Sequence, residues 1–379
     1  MAEAIRVLHV FGATNLGGAE SRVMDLYRSI DRTKVQFDFV VHTDKECYFD
    51  KEIMEMGGRI FHVPPFRVYN IVSYRKAFRK LFNAHPEFKA VHGHMTSTAS
   101  IYLPIAKKAG IRTTIAHARS AGVDQGVKGK ITTFLRKNLY KKADYLFACS
   151  KLAGEVVFGI KTWESGKVKF IPNAIDAYKY QYKTNVREQL RKELELEDKL
   201  VIGHVGSFRY AKNHEYLLRV FASFSKLAEE KKLSKKPVLL LLGDGELIDT
   251  VKQQAENLKI SEVVHFLGNR SDIWKYYQAF DYVVFPSHYE GMPGTIVEAQ
   301  VSGVRCLISN RISSDTIYTD LVKQKDIDLA PEQWAEYILS DLEYERHDYY
   351  ERAVEAGFDV KTQANSMQKF YETGVMEDE

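Results

Sequence analysis

The residues best placed to do chemistry stand in one segment, Glu290-Gly291-Met292-Pro293-Gly294-Thr295-Ile296-Val297-Glu298, after the apolar run Tyr282 to Phe285 and Pro286-Ser287. A strand, a turn and a helix explain that order, with Pro293 or Gly294 in the first helical positions. The unpaired N–H groups of Gly294, Thr295 and Ile296 then point at an anion, which makes the helix start a phosphate site. Gly294 and Glu298 fall at i and i+4 on one face, about 6 Å apart along the axis. A nucleotide phosphate and its ribose hydroxyls are separated by a similar distance, so Glu298 can accept hydrogen bonds from a ribose diol. Glu290, at the strand's exit, can touch a sugar hydroxyl or offset positive charge developing at an anomeric carbon. The spacing of the two carboxylates would suit solvated residues equally well; the strand before them and the Pro-Gly start give it meaning.

Other groups are less self-explanatory. Gly17-Gly18 stands between the first strand and the first helix and fits neither GxGxxG nor a phosphate-loop pattern. Paired glycines there let backbone approach a diphosphate or an acceptor closely. His117 ends a strand in Thr-Thr-Ile-Ala-His-Ala-Arg-Ser and is expected to hydrogen-bond a sugar or acceptor. His92-Gly93-His94 has a metal-pair form without an identifiable third ligand, and reads as structure or acceptor contact. Asp326-Ile327-Asp328 follows the charged Lys323-Gln324-Lys325 with no strong strand ahead of it, and is expected at the surface. No metal is expected.

These groups need a scaffold, and 379 residues with 45% hydrophobic content favour two domains. Ile5 to Phe11, Phe37 to His42, Arg59 to Val63, Thr113 to His117 and Tyr145 to Cys149 read as strands separated by helical periodicity, with Ser150 as a helix N-cap. A second cycle runs through Leu200 to Val205, Val238 to Leu242, Val263 to Leu267, Tyr282 to Phe285 and Arg305 to Ile308. The fold class is therefore α/β, two doubly wound Rossmann-like domains expected to face one another across a cleft. The boundaries are 1–176 for the first domain and 177–359 for the second, with a last helix in 360–379 returning to the first.

The Glu290 to Glu298 segment in this setting resembles the family 4 glycosyltransferases of GT-B fold, especially those of capsular and exopolysaccharide assembly, and the resemblance runs from Val7 to about Tyr371. It implies that the first domain binds the acceptor and the second the nucleotide sugar, that Glu290 and Glu298 bind the donor sugar and donor ribose, that anomeric configuration is retained and that no metal or other cofactor is used. His117 matches a family histidine near the donor sugar, and Gly17-Gly18-Ala19-Glu20 is similar to the N-terminal loop. Gly203 to His214 resembles the stretch whose arginine and lysine hold the donor diphosphate. Lys212 matches that lysine; the arginine position holds Ser207, which leaves Arg209 to curl back in its place. Asn269 and Arg270 fall where the family cups the nucleobase, and Gly243-Asp244-Gly245 looks like its structural Gly-x-Gly turn. The implied reaction moves a sugar from a UDP-sugar to a hydroxyl of a glycan or polyprenyl-linked acceptor. A non-catalytic nucleotide-sugar binder and a sugar-nucleotide epimerase are the alternatives.

Charge adds a partner. Residues 1–180 hold 29 Lys+Arg against 16 Asp+Glu, the remainder 25 against 34. Tyr69 to Lys80 and Lys128 to Lys142 set aromatics beside cations at roughly helical spacing. A core-facing stripe and peripheral docking on anionic membrane both fit. No nucleic-acid module is recognisable. Without a signal peptide or an apolar run of roughly 20 residues, the expectation is a cytoplasmic protein, peripheral on the inner face of the plasma membrane. Cys47, Cys149 and Cys306 are expected as buried thiols.

Overall fold

A computed structural model describes residues 3–376, apart from Ala121 and the segment 123–125, and without the side chains of Val127 and Lys128; Lys128, the first cation of the second basic stretch, thus falls outside the described residues. The chain divides into two compact units, residues 1–175 with 357–379 and residues 176–356. Cys47, Cys149 and Cys306 are all buried.

In the first unit the strands are β1 (Ile5–Val10), β2 (Val35–Val41), β3 (Ile60–His62), β4 (Phe88–Gly93), β5 (Thr113–Ala118), β6 (Tyr145–Ala148) and β7 (Val168–Phe170). All pair in parallel, in the order β3-β2-β1-β4-β5-β6-β7. Helices cover both faces, which is why β1 and β5 are almost continuously buried rather than alternating. The helix Gly18–Ser29 sends Val23, Met24 and Tyr27 onto Phe37 and Phe39, and the last helix, Val360–Thr373, adds Val360, Met367 and Phe370 to the same core. Ser150 caps its helix by accepting from Ala153 N.

The second unit carries β8 (Lys199–Val205), β9 (Lys236–Leu242), β10 (Val264–Gly268), β11 (Tyr282–Phe285), β12 (Arg305–Ser309) and β13 (Val322–Lys325), in the order β10-β9-β8-β11-β12-β13. Strand β13 departs from the sequence expectation. Its residues Val-Lys-Gln-Lys lack an apolar run because it is the edge of the sheet, paired on one side only, with Val322 opposite Cys306. Asp326-Ile327-Asp328 therefore does follow a strand, yet Asp328 is exposed and bonded to Arg311 at 2.8 Å.

In both units the strand order reverses between two central neighbours, β1/β4 and β8/β11. Ligands of open parallel sheets bind outside the carboxyl ends at such a reversal. The Gly243-x-Gly245 turn shapes the second one. Gly243 (φ +137°) lies so close to the β8 exit that an added Cβ would stand 2.1 Å from the Gly206 carbonyl oxygen, and one on Gly245 (φ +158°) 2.6 Å from that of Phe208. The contact is sealed by Gly206 N to Leu242 O at 2.9 Å and Phe208 N to Asp244 O at 3.0 Å. Gly243→Ala, which no side-chain rotation can relieve, is expected to cost ~2–4 kcal/mol in the second unit's unfolding, read as a lowered thermal midpoint; an unchanged midpoint would refute the packing argument.

Candidate active site

At the β8/β11 reversal two loops are clamped together. Asn213, left-handed at φ 54°, caps the helix His214–Glu230 through Tyr216 N and donates its Nδ2 to Pro286 O at 3.1 Å. The His288 N–H donates to Ala211 O at 2.8 Å, and the Tyr210 and His288 rings stack at 4.4 Å. This clamp brings Lys212 and Glu290 together: Nζ to Oε1 is 2.6 Å, with the two side chains 16% and 17% exposed. The Lys212 ammonium also lies 4.6 Å from the Phe285 ring centroid, and its stem runs over Gly206.

Pro293 is the N-cap of the helix Gly294–Val301 and Gly294 its first residue. Thr295 Oγ1 donates to Val205 O at 3.1 Å, fastening the helix start to the end of β8. Glu298 is 7% exposed and accepts the Tyr277 hydroxyl at 2.8 Å. Burial and the Glu298 carboxylate push the Tyr277 phenol well above its ordinary range, so it remains a donor. Gly291 and Met292 form the turn between Glu290 and the helix, Met292 buried. One anchoring strand end, one lysine, two carboxylates and a helix start thus converge.

Other expected residues lie apart from this group. Ser207 is half-buried and its carbonyl accepts the Arg209 N–H at 2.8 Å; Arg209 is exposed, extended at its backbone and without an ion pair among the described residues. Asn269 and Arg270 are exposed after β10, the edge strand on the far side of β9, with Arg270 over the Tyr276 ring at 5.7 Å. Behind Lys212, His204 and His214 are buried and neutral, burial pushing them down to about 4 and about 2.

The β1/β4 reversal of the first unit holds a different arrangement. His117 is fully enclosed, its Nδ1 2.9 Å from His92 Nε2, while His92 Nδ1 meets the Tyr371 hydroxyl of the last helix at 2.7 Å. His9 Nδ1 and His94 Nε2 are 3.0 Å apart, and Arg119 Nε donates to His94 Nδ1 at 3.3 Å. His9 supplies the third imidazole that the sequence left unidentified, and a ring nitrogen from each of His9, His92 and His94 falls within 4.8 Å of the others. Hydrogen bonds occupy both nitrogens of His92 and of His94, and the neighbouring guanidinium repels a cation, so the donor set forms a hydrogen-bonded network rather than a metal cage. Burial holds His9 down to about 3 and His92, His94 and His117 well below the usual imidazole range. Gly17 is the N-cap of its helix, where a Cβ would meet Glu20 Oε2 at 2.2 Å; Gly18 opens on free space.

Residues that sequence reasoning passed over are Tyr277, Asn213, His9 and Arg119. Arg119 stood in the quoted Ala-His-Ala-Arg run, but nothing in a lone arginine signals two buried acceptors.

The first unit matches the model described as Glycosyltransferase Family 4 over residues 16–179, and the second matches Glycosyl transferases group 1 over residues 186–358. A protein of Bacillus subtilis (strain 168) described as a glycosyltransferase, EpsF, is 31% identical over 381 aligned residues, 98% of each chain. The Escherichia coli UDP-Gal:alpha-D-GlcNAc-diphosphoundecaprenol alpha-1,3-galactosyltransferase is 27% identical, covering 86% of this chain and 85% of its own. Among solved structures, Anabaena HepE in complex with UDP and glucose superposes with a TM-score of 0.69 at 18% identity, over 95% of each chain, which establishes the shared fold.

Neutral buried histidines make the first unit acid-sensitive. The unfolded chain takes up a proton on each near pH 6.5, whereas folded His9 resists until about 3, so stability is full above pH 6.5 and falls as pH drops below it. Each such imidazole contributes about 1.4 kcal/mol per pH unit in that window. Urea midpoints measured from pH 7 to pH 4 should fall steeply, and less steeply in His9→Phe; parallel slopes would contradict the assignment.

Proposed function

This chain belongs to the family 4, group 1 glycosyltransferases, and from that premise we propose that it transfers a sugar, with retention of anomeric configuration, from a UDP-sugar to a hydroxyl of a lipid-linked glycan in cell-surface polysaccharide synthesis. The observation that carries the reading is the Lys212–Glu290 pair set against the start of the helix Gly294–Val301, with Glu298 held by Tyr277.

An incoming diphosphate competes with Glu290 for the lysine. Lys212 and the N–H groups at Gly294 and Thr295 then take the phosphate oxygens, where negative charge grows as the glycosidic bond to the diphosphate breaks. Glu290, released from its partner, faces the sugar. Glu298, held by the Tyr277 hydroxyl, accepts hydrogen bonds from the ribose diol. The acceptor hydroxyl attacks from the face the diphosphate leaves, and the departing phosphate oxygen takes its proton; no metal ion enters the scheme. The Escherichia coli relative, whose name gives a UDP-sugar and a diphosphoundecaprenol acceptor, supports the donor and acceptor class.

Mixing the protein with a panel of UDP-, GDP- and dTDP-sugars and a polyprenyl-diphosphate sugar, with the product anomer read by NMR, tests this. Hydrolysis or transfer from a UDP-sugar with retention supports it. Binding without turnover would favour the non-catalytic binder, and an isomerised free nucleotide sugar the epimerase. Glu290→Ala should lose roughly 100-fold or more in kcat, whereas Glu298→Ala should act mainly by raising the KM for donor; a near-normal rate in the first variant would remove Glu290 from the mechanism.

We also propose that the first unit docks on anionic membrane at the inner leaflet. A groove of about 780 Å³ between the helices Ile71–Ala84, Thr96–Lys108 and Gly126–Arg136 is lined by Arg75, Arg79, Lys108, Lys137 and Lys142 with no acidic side chain, beside Ile71 and Phe134. Phe134 is 75% exposed, and Tyr69 and Val72 stand 80% and 78% exposed at the start of the first of these helices. Apolar side chains ringed by cations suit the headgroup boundary. No helix among the described residues is long and apolar enough to cross a membrane. Flotation with vesicles containing phosphatidylglycerol at low salt should carry the protein upward, and Arg75→Glu with Arg79→Glu should abolish this; absence of flotation by the unaltered chain would end the proposal.

A further inference from the structure

Arg119 follows His117 at the exit of β5 and has no part in the scheme above. Its Nε donates to His94 Nδ1 at 3.3 Å and its Nη1 to Asn173 Oδ1 at 2.9 Å. A guanidinium has five N–H donors and no acceptor, so the direction of the neighbouring bonds follows. His94 Nδ1 must be bare, its proton sits on Nε2 and goes to His9 Nδ1 at 3.0 Å, and His9 keeps its own proton on Nε2. One arginine therefore sets the tautomers of two buried imidazoles. Both of its acceptors are neutral. No carboxylate stands within ion-pair distance of it among the described residues; the Glu20 carboxyl acts on it only through space.

A half-buried guanidinium answered by neutral acceptors is short of counter-charge. Its Nη2 and the second N–H of Nη1 have no partner among the described residues. That edge is a planar fork, the shape that grips two oxygens of one phosphate. Glu20 and Arg22, in the first turns of the helix Gly18–Ser29, are among the charges that act on Arg119. The Glu20 carboxyl itself lies over Gly17 at the start of that helix. We propose that Arg119 is an oxyanion-binding residue of the first unit, taking two oxygens of a diphosphate across Nη1 and Nη2. His94, His9 and Asn173 are positioning residues that hold the fork in place. Diphosphate as the ligand rests on the glycosyl-transfer reading, and it has two sources there, the sugar nucleotide and the link between acceptor glycan and lipid.

Inorganic diphosphate is the direct probe, titrated calorimetrically into the full chain carrying Lys212→Ala, which weakens the competing site in the second unit. Binding should persist in that background and weaken tenfold or more when Arg119→Gln is added. Should the double variant fail to fold, protection of Arg119 in the unaltered chain against phenylglyoxal, followed by mass spectrometry, gives the same answer: diphosphate should slow its modification at least tenfold. Modification and binding both indifferent to diphosphate or to Arg119 would overturn the proposal, even with transferase activity intact. Diphosphate protection without any sugar transfer would sustain the site and sink the function instead. Kinetics separate the sources: Arg119→Lys, which keeps charge but loses the fork, should raise the KM for donor alone or for lipid-linked acceptor alone, with kcat little changed. A fall in kcat with both KM values unmoved would mean that Arg119 only supports structure, against the proposal.

Discussion

A parallel strand can reach its next neighbour only by a right-handed crossover, so a sheet that grows outward in both directions from its middle must send two connections apart at one point. The diverging crossovers leave a crevice outside the strand ends there. In this protein that constraint acts twice, once at β1/β4 and once at β8/β11, and it decides where polar side chains can collect. Each site described above is a different chemical filling of the same geometric opening.

The fillings differ in how they manage charge. At β8/β11 a cation and an anion neutralise each other at 2.6 Å while partly exposed, an arrangement that a competing anion can exchange with little desolvation. At β1/β4 a guanidinium is answered by the His94 imidazole, which burial keeps neutral, and by the Asn173 amide, and burial lowers Arg119 itself only to about 10, leaving it charged at neutral pH. There the histidines act as fixed dipoles. They orient a charge without cancelling it, which is the property required of a preorganised anion site.

Much of this was readable from residues alone. The apolar runs that became β1, β8, β9 and β11 were legible because both faces of those strands are covered. Edge strand β13 was not, since pairing on one side leaves Lys323 exposed and lets Lys325 lie over the Tyr337 ring, which erases the apolar signal. The helix start at Pro293-Gly294 could be read because its signal is local. Partners far apart in sequence could not: Lys212 meets Glu290 only through the Asn213 and His288 clamps, and Tyr277 reaches Glu298 from another helix. His9 looked like one polar residue in a strand until the sheet register set it opposite His92.

The chain leaves the first unit at Ile175 and returns at Gly357, and the two passes are stitched together by Ile175 N to Phe358 O at 2.9 Å and Val360 N to Ile175 O at 2.8 Å. During synthesis, then, the first unit emerges from the ribosome lacking one of its own pieces. Val360, Met367, Phe370 and the Tyr371 hydroxyl that meets His92 arrive only after the entire second unit has been made. Vectorial folding is inverted: the later domain can close first, and the earlier one waits with part of its apolar core open. A transcript truncated anywhere before that last helix yields a chain whose imidazole network has lost its phenol, so completion of the polypeptide is itself a condition for assembling the site.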